Sequence, residues 1–165
     1  MSQRWSTKRG QGQIWDELRL PLISKDTIKL ALLPALQVAD VDVAREVGRA
    51  AMTVLMAAAP EMRGGVVLEA VWRHDQGRDG PTTLSGPVVE IFCRCDRPTL
   101  EARYKARPRP TGYVPEHRDP SELWSGETLE PVALGWPVIE VDATHEVDRV
   151  ALVSEIRRAL DLSAS

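Results

Sequence analysis

Four short, nearly continuous apolar runs alternate with segments of helical period, and this alternation constrains the fold more than any other feature. The first run is Leu20-Pro21-Leu22-Ile23, ending at Ser24; the others are residues 66–71, 88–95 and 138–141. Such runs suit strands buried on both faces, as parallel strands are. Strands alternating with helices imply an α/β fold: a mostly parallel sheet with flanking helices.

The segments between the runs carry helix signals. Ile14-Trp15-Asp16-Glu17-Leu18 is a short amphipathic piece. Ser24 can cap a helix over residues 26 to 35 or 36, with Asp26 in its first turn, where the helix dipole favours an acid. Val43, Val47, Ala50, Ala51, Val54 and Ala58 form one apolar face of a long helix, ended by Pro60 and Gly64-Gly65. Residues 73–87 are rich in Gly, Asp, Arg and Thr and read as a loop. Asp96 precedes Arg97-Pro98, a start for a helix over residues 99–107. The Pro/Arg segment 107–119 excludes regular structure, and Asp119-Pro120-Ser121-Glu122 opens a short helix. Residues 147–160 form the closing helix, with Val150, Val153, Ile156 and Leu160 available for packing.

At 165 residues, with 43% hydrophobic, the chain has the size and apolar content of one folded domain, expected over residues 14–162 behind a flexible tail at 1–13. Its net charge of -3 argues against nucleic-acid binding by bulk charge. A bilayer span needs about 20 apolar residues, and none is present, so no membrane association is expected. The basic, polar start lacks the apolar core of a secretory signal, which points to the cytoplasm. Cys93 and Cys95 stand two apart, too close for an unstrained disulfide, and His74, His117 and His145 are scattered; two reduced, buried thiols are expected and no metal site.

In open parallel sheets, ligands bind beyond the carboxyl ends of the strands. The residues there are Ser24-Lys25-Asp26, Glu69 through Arg73, Cys95-Asp96 and Asp142-Ala143-Thr144. Asp26 can deprotonate a hydroxyl and a nearby lysine can hold a phosphate oxygen; the same residues also suit a helix cap with solvated charges. Glu69 interrupts an apolar run, where a carboxylate needs a partner, whether a cation, a substrate hydroxyl or an arginine. Arg94, Arg97, Arg103 and Arg107 precede the Pro-rich segment; they suit a phosphate clamp or an ordinary wet helix face.

Four segments occur together in matching order: Leu22 to Lys29, Gly65 to Ala70, Phe92 to Cys95 with Leu100 to Arg107, and Val138 to Asp142. In this order they resemble the small P-loop kinases grouped with AAA-type ATPases, the relatives of chloramphenicol phosphotransferase, gluconate kinase and the zeta toxins. The resemblance implies a three-layer P-loop NTPase-like sheet and an ATP-dependent phosphotransferase acting on a small-molecule hydroxyl, with ATP and Mg2+ as cofactors. It gives Asp26 the general-base role and places Lys25, Lys29, Glu69 and Arg73 around the acceptor. It makes Arg103 and Arg107 phosphate clamps on a lid at about 104–120, and puts Asp142 on the nucleotide side.

One departure bears on activity. The family's phosphate loop, G-x-x-x-x-G-K-[ST], aims backbone N–H groups and a lysine at the phosphates. Here Lys8, Lys25, Lys29 and Lys105 follow Thr7, Ser24, Ile28 and Tyr104, so no Gly-Lys pair exists. The family's first, central strand is missing too. Its loss predicts a gap between the strands around Ile23 or Val67 and that around Ile91, with exposed edges that invite self-association. Three explanations are open: a shortened gene product, a degenerate relative that binds without catalysis, or four strands that close up directly into a smaller sheet. Weak or absent activity is the expectation, because a single preorganised donor contributes about 3–4 kcal/mol to catalysis.

Overall fold

The computed structural model describes residues 14–38, 40–72, 84–106 and 129–163, which fall in two compact units. The first unit covers residues 14–72 of these, and the second covers 84–106 and 129–163. The fold is mixed α/β with parallel strand pairs.

In the first unit, α1 (Ile14–Leu18) ends where Arg19 turns left-handed at φ 58. β1 (Leu22–Ser24) runs directly into α2 (Lys25–Ala35). Ser24 stays extended, and its hydroxyl accepts from the Thr27 N–H at 3.4 Å, a long version of the expected cap. Pro34 lies in the last turn of α2, which closes at Leu36 before the left-handed Gln37. Asp40 caps α3 (Val41–Ala58) by accepting from the Asp42 and Val43 amides at 2.7 and 3.1 Å.

The inward face of α3 is Ala44, Val47, Gly48, Ala51 and Leu55, spaced at helical period. The sequence places Val43 and Val54 on that face, yet both are exposed. The small residues at 44, 48 and 51 let α2 approach closely. Leu33 packs with Ala44 and Val47, flanked by Leu30, Leu32 and Val38. Pro60 does not stop the helix sharply; it sits in a 3-10 turn, Ala59–Glu61. Gly64 and Gly65, both at positive φ, then reverse the chain into β2 (Val67–Glu69). A side chain at Gly65 would come within 3.2 Å of Leu20. β2 pairs parallel with β1, setting Leu22 against Val67, Ile23 against Leu68 and Ser24 against Glu69.

In the second unit, β3 (Glu90–Arg94) pairs parallel with β4 (Val138–Asp142), from Glu90 against Val138 to Arg94 against Asp142. β3 is shorter than the apolar run 88–95 and β4 runs one residue beyond 141, as pairing rather than hydropathy sets their limits. Along β4, Ile139 and Val141 are buried while Glu140 and Asp142 are exposed. That alternation marks a strand with one wet face rather than one buried on both. α4 (Arg97–Ala106) starts under an Asp96 cap, the carboxylate accepting from the Thr99 N–H at 2.7 Å. α5 (Arg149–Ser163) buries Leu152, Val153 and Ile156. Val150, expected to pack, is 72% exposed because it lies off the face those three define.

Among the described residues the strands form two pairs, β1–β2 in the first unit and β3–β4 in the second. Two-stranded sheets are marginal alone, so each pair depends on the helices and loops around it. No described helix is long and apolar enough to cross a membrane.

Candidate functional site

The β1–β2 register brings one group of predicted site residues together. Ser24 ends β1 opposite Glu69, which ends β2, so the hydroxyl and the carboxylate share the carboxyl edge of the same pair. Lys25, Asp26 and Lys29 follow in the first turns of α2. Ser24 is buried, Lys25, Asp26 and Glu69 are half-buried, and Thr27 is exposed. Lys29 is only 9% exposed, unusual for a lysine. Its aliphatic stem and ammonium lie over Gly48 of α3: a Cβ there would be 3.7 Å from Cδ and Nζ and 3.8 Å from Cε. Gly48 was not legible as a site position in the sequence, since a glycine inside a helical pattern signals only a local cost in propensity.

A second group sits at the carboxyl edge of the β3–β4 pair. Arg103 of α4 donates from Nη1 to the Ala143 carbonyl at 2.7 Å and from Nη2 to the Thr144 carbonyl at 3.3 Å. The same Nη1 lies 3.6 Å from Cys95 Sγ. The Asp142 carboxylate accepts the Thr144 N–H at 2.9 Å, and the Thr144 hydroxyl accepts the Asp96 N–H at 3.1 Å. The Ala143 N–H continues the ladder to the Arg94 carbonyl at 2.6 Å. The turn after β4 is therefore fixed from β3, from α4 and from itself.

These bonds favour the charged forms of both acids. Hydrogen bonds from Thr99 hold Asp96 below the usual carboxylate value of 3.8, and hydrogen bonds from Thr144 do the same for Asp142. His145 adds a smaller lowering to each. Sequence reasoning placed Asp96 and Thr144 at strand ends without a chemical role for either; the Asp142-x-Thr144 spacing of a side-chain turn was the available signal.

Cys93 and Cys95 are free thiols, as expected, but half-buried rather than buried, because the strand is shorter and Cys95 lies past its end. Arg73, Arg107 and the lid at about 104–120 beyond residue 106 lie outside the described residues, as do His74 and His117. Among the described residues no three His, Cys, Asp or Glu side chains gather as metal ligands. At the opposite end of β3, Glu90 grips the loop before β4: its two carboxylate oxygens accept the Val132 and Ala133 amides at 2.7 and 2.9 Å.

No known protein-family profile matches the chain. No curated protein sequence matches it. Its fold is similar to that of a putative kinase from Chloroflexus aurantiacus J-10-fl, whose crystal structure extends to 1.70 Å resolution. The TM-score is 0.69 with 24% sequence identity, over 91% of this chain and 86% of that chain. At that identity the likeness is one of fold: the two proteins share a mixed α/β architecture.

Proposed function

We propose that the chain is a phosphotransferase-type protein of the P-loop kinase kind, built around an acceptor site for a small-molecule hydroxyl and weakened or inactive in this form. The observation that supports this reading is the register of Ser24 with Glu69, at the strand end from which α2 leads off with Lys25, Asp26 and Lys29. Asp26 would take the proton of the acceptor hydroxyl, Lys29 would face its anionic or developing negative charge, and Lys25 and Glu69 would orient it. Arg73 completes the acceptor set in this reading, and Arg103 and Arg107 the phosphate clamp, with Asp142 on the nucleotide side. The fold shared with a putative kinase supports the reading at the level of architecture.

ATP and Mg2+ are the cofactors the resemblance implies, and the residues present do not fit a triphosphate. No lysine in the chain follows a glycine, so the loop that would cradle the phosphates cannot be built from this sequence. No transfer step is therefore assigned to the chain. The second reading, a non-catalytic member that binds a ligand or partner, draws on the same missing lysine. Self-association through open strand edges belongs to that second reading, and a clean monomer by light scattering would remove it. A cytoplasmic setting without nucleic-acid partners suits both readings, given the two free thiols and the net charge of -3.

The test is a phosphoryl-transfer assay over a panel of small alcohols and sugars, with the wild type beside Asp26→Asn. Slow transfer abolished in the variant supports the first reading. Equal background from both proteins supports the second.

A further inference from the structure

We infer that Thr144 is a positioning residue: its backbone bonds Arg103 and Asp142 while its hydroxyl ties the same turn to Asp96, at the edge of the β3–β4 pair. All three of its polar groups are engaged. Its N–H donates to Asp142 Oδ1 at 2.9 Å, its hydroxyl accepts from the Asp96 N–H at 3.1 Å, and its carbonyl accepts from Arg103 Nη2 at 3.3 Å. Asp142 ends β4, Asp96 follows β3, and Arg103 lies on α4, so one residue ties three elements together.

The hydroxyl has two tasks. It takes the Asp96 amide, the donor that would otherwise be left over where β3 gives way to α4. It also bears on the Asp142 carboxylate, adding to the lowering that the Thr144 amide produces. Arg94 and His145 are the other charged groups acting on Asp142, and Asp142 and His145 are those acting on Asp96. Valine has nearly the shape of threonine and no hydroxyl, so Thr144→Val removes these two interactions and leaves the backbone bonds in place. The meaning for Arg103 and Asp142 as ligand-facing groups rests on the phosphotransferase reading; the structural role does not.

The experiment uses the full chain, labelled for carboxyl and amide NMR, as wild type, Thr144→Val and Thr144→Ser. The Asp142 titration midpoint is expected to move up toward 3.8 in Thr144→Val and to stay at the wild-type value in Thr144→Ser. The Asp96 amide should exchange with solvent faster by about fivefold or more in Thr144→Val only. Should Thr144→Val not fold, Thr144→Ala gives the same two readings. Wild-type midpoints and exchange in the hydroxyl-free variant would overturn the inference, as would equal changes in Thr144→Ser. Added ATP serves as a separate probe: a saturable shift at Asp142 in the wild type would contradict the reading that the chain cannot hold a triphosphate, while the titration still decides the role of Thr144.

Discussion

Arg103 reaches from α4 to the carbonyl of Ala143, 2.7 Å away, and so fastens a helix to the turn that follows β4. A guanidinium offers five donors in a rigid fork, and here adjacent carbonyls take both terminal nitrogens. Arg103→Lys keeps the charge and loses the fork. We expect it to lower stability by about 1 kcal/mol, with Arg103→Ala costing as much or more. Urea midpoints of the three proteins check this. Wild-type stability in Arg103→Ala would mean that the bonds contribute nothing net.

Glu90 holds the loop before β4 with both of its carboxylate oxygens. Ala133 is held left-handed at φ 50, and its amide and that of Val132 both point at Glu90. Val132 is 7% exposed, so an amide left without its acceptor there is costly. Glu90→Ala is expected to destabilise by about 2 kcal/mol, and Glu90→Gln, which keeps one acceptor, by about half of that. Thermal unfolding of the two variants gives the order directly.

The two lowered acids set an acid limit. Asp96 and Asp142 hold their protons less tightly folded than unfolded, so their contribution is fully present above the unfolded value of 3.8. It fades as pH falls below 3.8 through the lower folded values. Melting temperatures between pH 5 and pH 2 should therefore drop less steeply in Asp142→Asn than in the wild type. Parallel curves would show that the Thr144 bonds do not discriminate between the protonation states.

Much of the fold was legible because its signals are local. The Ser24 cap with Asp26 after it, and the helical spacing of Val47, Ala51 and Ala58, placed α2 and α3 within a few residues of their limits. The four strands were legible in the same way, since each is a short apolar run between turn residues. What escaped the sequence depends on long-range contact. Nothing local to Val43 or Val150 says which side of its helix is covered. Nothing near Gly48 announces that Lys29 lies over it, and nothing near Glu90 points to amides 42 and 43 residues away. The strand-end positions of Lys25, Asp26 and Glu69 were legible, though not whether they form a site, while the web around Thr144 required the parallel pairing of β3 with β4.

Gly48 offers a test of packing beneath the proposed acceptor site. A methyl there meets Lys29 at 3.7 Å, an ordinary contact, while a helix-interior glycine gives up about 0.5–1 kcal/mol relative to alanine. Gly48→Ala should therefore raise stability by up to that amount. Gly48→Leu should displace Lys29 and cost about 1–3 kcal/mol. Reductive methylation reads the displacement: Lys29 should be slow to react in the wild type and in Gly48→Ala, and fast in Gly48→Leu. Fast reaction of Lys29 in the wild type would contradict its burial.

The central proposal is a phosphotransferase-type chain that has no cradle for a triphosphate. Titration calorimetry of the full chain with ATP and Mg2+ tests it most directly. The account predicts no saturable heat at micromolar nucleotide. A micromolar dissociation constant, about 8 kcal/mol of binding free energy, would contradict it.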